Sequence, residues 1–222
     1  MIFWKNSKGQ WAQIAKVSAD NLSYTHVSSD KFPIEKGKTY IYTVRSYTTT
    51  GNTRGLYDKK GKTVEAVNPT EEVDKKLKEV TTKILSQITN SSMTKAQKLR
   101  ACWNFVTSGA NFSYWPKYPN TSQVGWQRTT ALDMLTTRRG NCYSFACGFA
   151  ALAKEIGYSP SVVCGRVSGS RDGSSDGMTR HSWVVIGGTY YDPEAHYAGW
   201  YKNVYGSGSY DVNHTIQSIV SF

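Results

Sequence analysis

The sequence is short of the patterns by which many protein classes are recognised. Among its 222 residues there are only four cysteines and four histidines. Cys102, Cys142, Cys147 and Cys164 show neither CxxC spacing nor a neighbouring pair of histidines, which excludes the common zinc sites. No metal and no cofactor is expected. The longest uninterrupted apolar run, Phe145 to Ala153, falls far below the ~20 residues that span a bilayer, so no membrane span is expected. The opening MIFWKNSKGQW lacks the long apolar centre of a secretory signal, so any export signal is expected to have been removed or to lie in a longer parent. Dense basic blocks are also missing. The net charge of +11 is spread along the chain, with 11 basic and 5 acidic side chains in residues 1–67 and 16 against 11 in the remainder. With no nucleic-acid recognition signature present, this balance suits loose attraction to anionic polymers such as a cell wall, and no nucleic-acid partner is expected.

What remains is an ordinary globular composition, 39% apolar, long enough for one large or two small domains. Residues 1–67 carry the strand candidates WAQIAKV, SYTHV and TYIYTVRSY, separated by polar and glycine-containing turns. Ile34, Gly37 and Tyr40, followed by the alternating YIYTVRSY, resemble the later part of a fibronectin type III domain, in which the tyrosine anchors a corner of the sandwich. The first two strands of such a domain have no counterpart, so a partial β module is expected. A domain boundary is placed at Asn68-Pro69-Thr70, where strand signals give way to a helix start with Glu71, Glu72 and Asp74 in its first turn. The second domain then runs over residues 68–222.

Val73, Leu77, Val80, Ile84 and Ile88 recur every three or four residues, which predicts an amphipathic helix over 71–89, and a second helix is predicted over 94–108. Residues 111–129 read as an aromatic loop platform, followed by a short helix over 130–136. The segment from Asn141-Cys142 to Ile156 has sharp start and stop signals, with Gly157 and Pro160 beyond it. Its Ala146, Gly148, Ala150, Ala151 and Ala153 allow close packing on several sides, which predicts the central helix. Strands are predicted at 161–167, 181–186 and 189–192. The fold class is therefore α+β.

Three residues stand out chemically. A helix start stabilises a thiolate through its unpaired N–H groups and its dipole, so Cys142 is expected to be a largely ionised nucleophile near neutral pH. Gly187-Gly188 predicts a two-residue hairpin in which 186 faces 189, 183 faces 192 and 181 faces 194. Asp192 then lies on the same face as His181, one diagonal step away and within reach of it. An acid, a base and a thiol in this arrangement point to nucleophilic catalysis. If one cysteine is a catalytic thiol, three are left, so a full disulfide framework is excluded within the monomer and buried free thiols are expected. The loop SGSRDGSSDG carries Asp172 and Asp176 but fails the calcium-loop pattern, and reads as a mobile loop beside the cleft.

The string TTRRGNCYSFACGFAALAKEIGYSPSVVCGRV, followed by RHSWVVIGGTYYDP, resembles the transglutaminase-like superfamily of the bacterial surface type, whose pattern is a Gly-x-Cys helix start, a His-x-Trp strand and an Asp-Pro strand end. The resemblance covers about residues 71–200. It implies a papain-like core in which Cys142 attacks a peptide or glutamine-type amide, His181 moves the proton and Asp192 orients His181. It also implies an oxyanion hole built from the Cys142 backbone N–H and a second donor, for which Tyr114 in NFSYW is one candidate; a packed core tyrosine explains Tyr114 equally well. Trp115, Trp126 and Trp183 are candidates to line a peptide groove or to fill the core. Arg180, with Arg138 and Arg139, is a candidate for an acidic substrate group or a solvated surface residue. The implied partners are protein or peptide substrates, cell-wall peptides among them, in an extracellular or cell-surface setting. Three functions are compatible with these residues: acyl transfer, hydrolysis by a cysteine peptidase or amidase of the same fold, and a surface binding module without catalysis.

Overall fold

The structure, a computed structural model, describes residues 1–18, 24–48, 53–67 and 70–222. Ser23 of the SYTHV candidate and the boundary residues Asn68 and Pro69 lie outside the described residues. The chain divides into two compact units, Met1–Pro69 and Thr70–Phe222.

The first unit holds β1 (Ile2–Lys5), β2 (Trp11–Ala15), β3 (Thr39–Val44) and β4 (Lys62–Glu65), in the sheet order β2-β1-β3-β4. All neighbouring strands are antiparallel. Asn6 shapes the β1–β2 turn by accepting from the N–H groups of Lys8 and Gln10. At the foot of β3 the Tyr40 hydroxyl accepts from Glu35 N at 2.9 Å. Residues 24–27 form no strand: Tyr24 and Val27 are exposed, and among the described residues no strand pairs with them. The described strands form one sheet, not the two facing sheets of a sandwich.

The second unit is α+β. Helices α1 (Glu71–Ile88) and α2 (Lys95–Val106) bury Leu77, Ile84 and Leu85 from one and Leu99, Cys102, Trp103 and Val106 from the other. A reciprocal capping box starts α2: Thr94 Oγ1 accepts from Gln97 N, and Gln97 Oε1 accepts from Thr94 N. The short β5 (Ser113–Tyr114) runs parallel to β6 (Arg139–Gly140). Between them α3 spans Trp126–Thr137, starting four residues earlier than the sequence pattern predicts. Gly125, at φ 73°, breaks the preceding loop, and burial of Trp126 and Gln127 extends the helix back to it.

Helix α4 (Cys142–Glu155) is the centre of the unit, with every residue from Cys142 to Ala153 buried. Asn141 caps it, its side-chain oxygen accepting from Tyr143 N and Ser144 N. Its small residues let neighbours approach: a Cβ placed on Gly148 would lie 3.0 Å from Met134 Sδ of α3. The sheet has the order β10-β9-β8-β7-β11, antiparallel throughout, from β7 (Pro160–Ser168), β8 (Met178–Ile186), β9 (Thr189–Tyr191), β10 (Tyr205–Ser207) and β11 (His214–Ser221). Ile186 pairs with Thr189 across Gly187 and Gly188, both at positive φ, as the two-residue hairpin requires. A short α5 (Pro193–Ala198), β10 and β11 extend the fold beyond the last strand that the sequence pattern predicts.

Candidate active site

Three turns of chain meet at one end of α4. The first is the entry from β6 into the helix. A Cβ on Gly140 would lie 2.2 Å from Ser144 Cβ, so only glycine allows the chain to fold back this tightly before Asn141. Cys142 takes the first helical position, where its N–H has no partner within the helix. The side-chain Nδ2 of Asn141 beside it is buried and has no hydrogen-bond partner among the described residues.

The second is the stretch of β8 that carries His181 opposite Gly165 of β7. Gly165 also has no room for a side chain, since a Cβ there would lie 2.1 Å from Thr215 O and 2.8 Å from the Trp183 ring. The third is the β9–α5 junction. Asp192 is the N-cap of α5 with Pro193 in its first turn, and its Oδ1 accepts from Ala195 N at 3.0 Å. Its Oδ2 lies 2.7 Å from His181 Nε2 and accepts from the Tyr210 hydroxyl at 2.7 Å. Helix capping and the two side-chain bonds hold the carboxylate against one edge of the imidazole.

With Nε2 engaged by Asp192, the Nδ1 edge remains. It faces Glu194 Oε2 at 3.6 Å, and Cys142 Sγ, a His181 ring nitrogen and a Glu194 oxygen all lie within 4.8 Å of one another. Glu194 does not stand out from its residue type; the hairpin pairing ends at Val184–Tyr191, and Glu194 reaches the site from the first turn of α5. Arg171 neutralises it with contacts of 3.0 Å to Oε2 and 3.4 Å to Oε1. Arg171 in turn lies over the Trp200 ring at 4.1 Å and the Tyr114 ring at 5.6 Å. Beside this cover is a cavity of about 210 Å³ lined by Val167, Ser168, Gly169, Arg171, Thr179, Trp200 and Tyr201.

Burial acts on the thiol against the depressed pKa that the helix start predicts. Cys142, His181 and Asp192 are 0% exposed. Burial pushes the Cys142 thiol up, and the bond and charge of His181 oppose this without reversing it; the Glu194 charge adds to the rise. Burial alone would lower His181, but Asp192 and Cys142 outweigh it and hold the imidazole well above its ordinary range. Alkylation of Cys142 by iodoacetamide is therefore expected to be slow at pH 7 and to rise about tenfold per pH unit below the thiol pKa. Rates read by peptide mapping across pH 6–9 check this; a fast rate independent of pH would establish a preformed thiolate. The other three thiols are buried and free, with Cys102 pushed up to about 12 by burial.

The remaining candidates divide by exposure. Tyr114 and Trp115 are partly exposed, and β5 sets them beside Gly140: Trp115 N donates to Gly140 O at 2.7 Å. Arg139 lies over the Trp115 ring at 4.4 Å, and Arg180 over the Tyr118 ring at 4.4 Å. Arg138 covers Phe105 and Phe112, and Trp126 is buried against Tyr143. Trp183 is 0% exposed, stacked between His181 and Tyr210, so it backs the imidazole and does not face a cleft. The aspartates of the SGSRDGSSDG loop are engaged by protein donors: Asp172 accepts from Arg180 N and Ser174 N, and Asp176 pairs with Arg166.

A family model described as the transglutaminase-like superfamily matches residues 82–217. A solved structure described as that of "a Putative Cysteine Protease from Cytophaga hutchinsonii" is similar with a TM-score of 0.35 and 15% identity, covering 82% of this chain and 74% of that one. No curated protein sequence matches the chain significantly.

Proposed function

We propose, on the premise that this chain belongs to the transglutaminase-like superfamily, that it is an enzyme of thiol-dependent acyl transfer acting on peptide or glutamine-type amides. The observation that carries this reading is the 2.7 Å contact of His181 with Asp192 in a site where the other imidazole edge faces the thiol of a helix-start cysteine. The Cys142 sulfur attacks the amide carbon as its proton passes to His181. The C–N bond then breaks, the leaving amine takes that proton, and a thioester remains on Cys142. An incoming amine, deprotonated by His181, breaks the thioester and restores the thiol. Asp192 holds the imidazole tautomer and orientation throughout. The backbone N–H of Cys142 is one donor for the developing oxyanion; Tyr114 is the candidate for the other. Trp115 and Arg180 are the candidates for contacts with a protein or peptide substrate.

Enclosure of the site favours an amine over bulk water as the acceptor. Incubation with a glutamine-containing peptide and a labelled primary amine is expected to give the mass of the amine adduct. Free acid as the sole product would make the protein a peptidase or amidase of the same fold, and neither product with any amide donor would overturn catalysis. The β unit acts in this reading as a spacer or attachment module, and the setting is extracellular or cell-surface.

A further inference from the structure

Acyl transfer does not account for Glu194. A second carboxylate beside the thiol works against thiolate formation, and its charge indeed raises the Cys142 pKa. Yet Glu194 is 1% exposed and held by Arg171, so its place is built and not incidental. The facing nitrogen, His181 Nδ1, is fully buried and, apart from the Cys142 thiol, has no hydrogen-bond partner among the described residues. A buried nitrogen, a thiol and a carboxylate thus lie within 4.8 Å of one another.

We propose that Cys142 Sγ, His181 Nδ1 and a Glu194 oxygen form a three-ligand site for Zn²⁺ that reversibly occupies the thiol. The ligand types are those zinc prefers, and bonds of ~2.0–2.2 Å to nitrogen and oxygen place tetrahedral ligands about 3.4 Å apart. His181 Nδ1 and Glu194 Oε2 are 3.6 Å apart. All separations in the cluster lie within 4.8 Å, so ion binding draws the sulfur, nitrogen and oxygen closer together. The surroundings match those of zinc ligands elsewhere. Asp192 engages the far nitrogen of the histidine, fixing its orientation, and Arg171 contacts both carboxylate oxygens of Glu194. One thiolate and one carboxylate balance the charge of the ion. Binding forms the sulfur–zinc bond as the thiol proton leaves to solvent, together with any proton on Nδ1. A fourth position is left for water.

This site does not rest on the acyl-transfer reading, because binding is measured without turnover. The full chain, stripped by a chelator, is titrated with Co²⁺ and then Zn²⁺. The expected result is one equivalent of Co²⁺ with a near-ultraviolet thiolate-to-cobalt charge-transfer band, displaced by Zn²⁺ and absent in Cys142→Ser. Glu194→Gln is expected to weaken binding at least about tenfold, with circular dichroism confirming its fold; Glu194→Asp, which retracts the carboxylate, serves if Gln does not fold. Zinc should also protect Cys142 from alkylation until chelator is added. Absorption-edge spectroscopy of the cobalt-loaded wild-type chain is expected to show a single sulfur ligand. No band in the wild type, a band that survives Cys142→Ser, zero or two sulfurs, or unchanged affinity in a folded Glu194 variant would each overturn the assignment.

Discussion

Replacing Cys142 with alanine is expected to abolish acyl transfer, lowering kcat/KM by about four to six orders of magnitude, with a stability change of only about 1 kcal/mol. Every covalent step runs through this sulfur, whereas alanine suits the first turn of a helix already rich in alanine. His181→Ala is expected to cost a similar factor, since the proton exchanged between the thiol and the leaving amine passes through this imidazole. Asp192→Asn should lose on the order of 10⁴, because an amide cannot serve the imidazole, the Tyr210 hydroxyl and Ala195 N as a carboxylate does. Initial rates with a fixed amide donor, alongside thermal melts of each variant, check these values. Retention of more than a hundredth of the wild-type rate in Cys142→Ala would remove the thiol from the mechanism.

Trp103→Ala is expected to be the most damaging change away from the site. Its indole is 1% exposed and lies against the rings of Phe149, Tyr191, His196 and Tyr205. The residue thus joins α2 to the central helix, to β9 and to β10. Truncation of a buried tryptophan typically costs about 3–5 kcal/mol through lost burial and an unfilled cavity. In a unit of this size that corresponds to a drop in Tm on the order of 10 °C. Denaturant midpoints for wild type and variant check it. A loss below about 1 kcal/mol would mean that the indole does not tie these elements together.

Local signals made the framework of the site legible, and tertiary packing hid the rest. Asn141 and Gly157 bracket α4, and Gly187-Gly188 fixes the register that brings Asp192 to His181. Each of these is a rule about neighbours in sequence. The start of α3 at Trp126 was hidden because its first turn is stabilised by burial of an aromatic and a glutamine, not by propensity. The strand β11 was missed because its alternation is weak: much of HTIQSIVS is exposed, and its pairing with β7 is broken by a register shift between Ile216 and Ser218. The helix start and the adjacent imidazole both predict a lowered thiol pKa. Burial of Cys142 works against both, and burial comes from tertiary packing that neighbours in sequence do not reveal.

The most direct test of the central claim is intact-protein and peptide mass spectrometry after mixing the protein with an activated amide donor and no acceptor amine. The predicted result is a single added acyl group mapped to Cys142, lost on addition of a primary amine and never formed in Cys142→Ala or His181→Ala. Turnover of the donor with no acyl group on Cys142, or an adduct mapped instead to Cys102, Cys147 or Cys164, would contradict it.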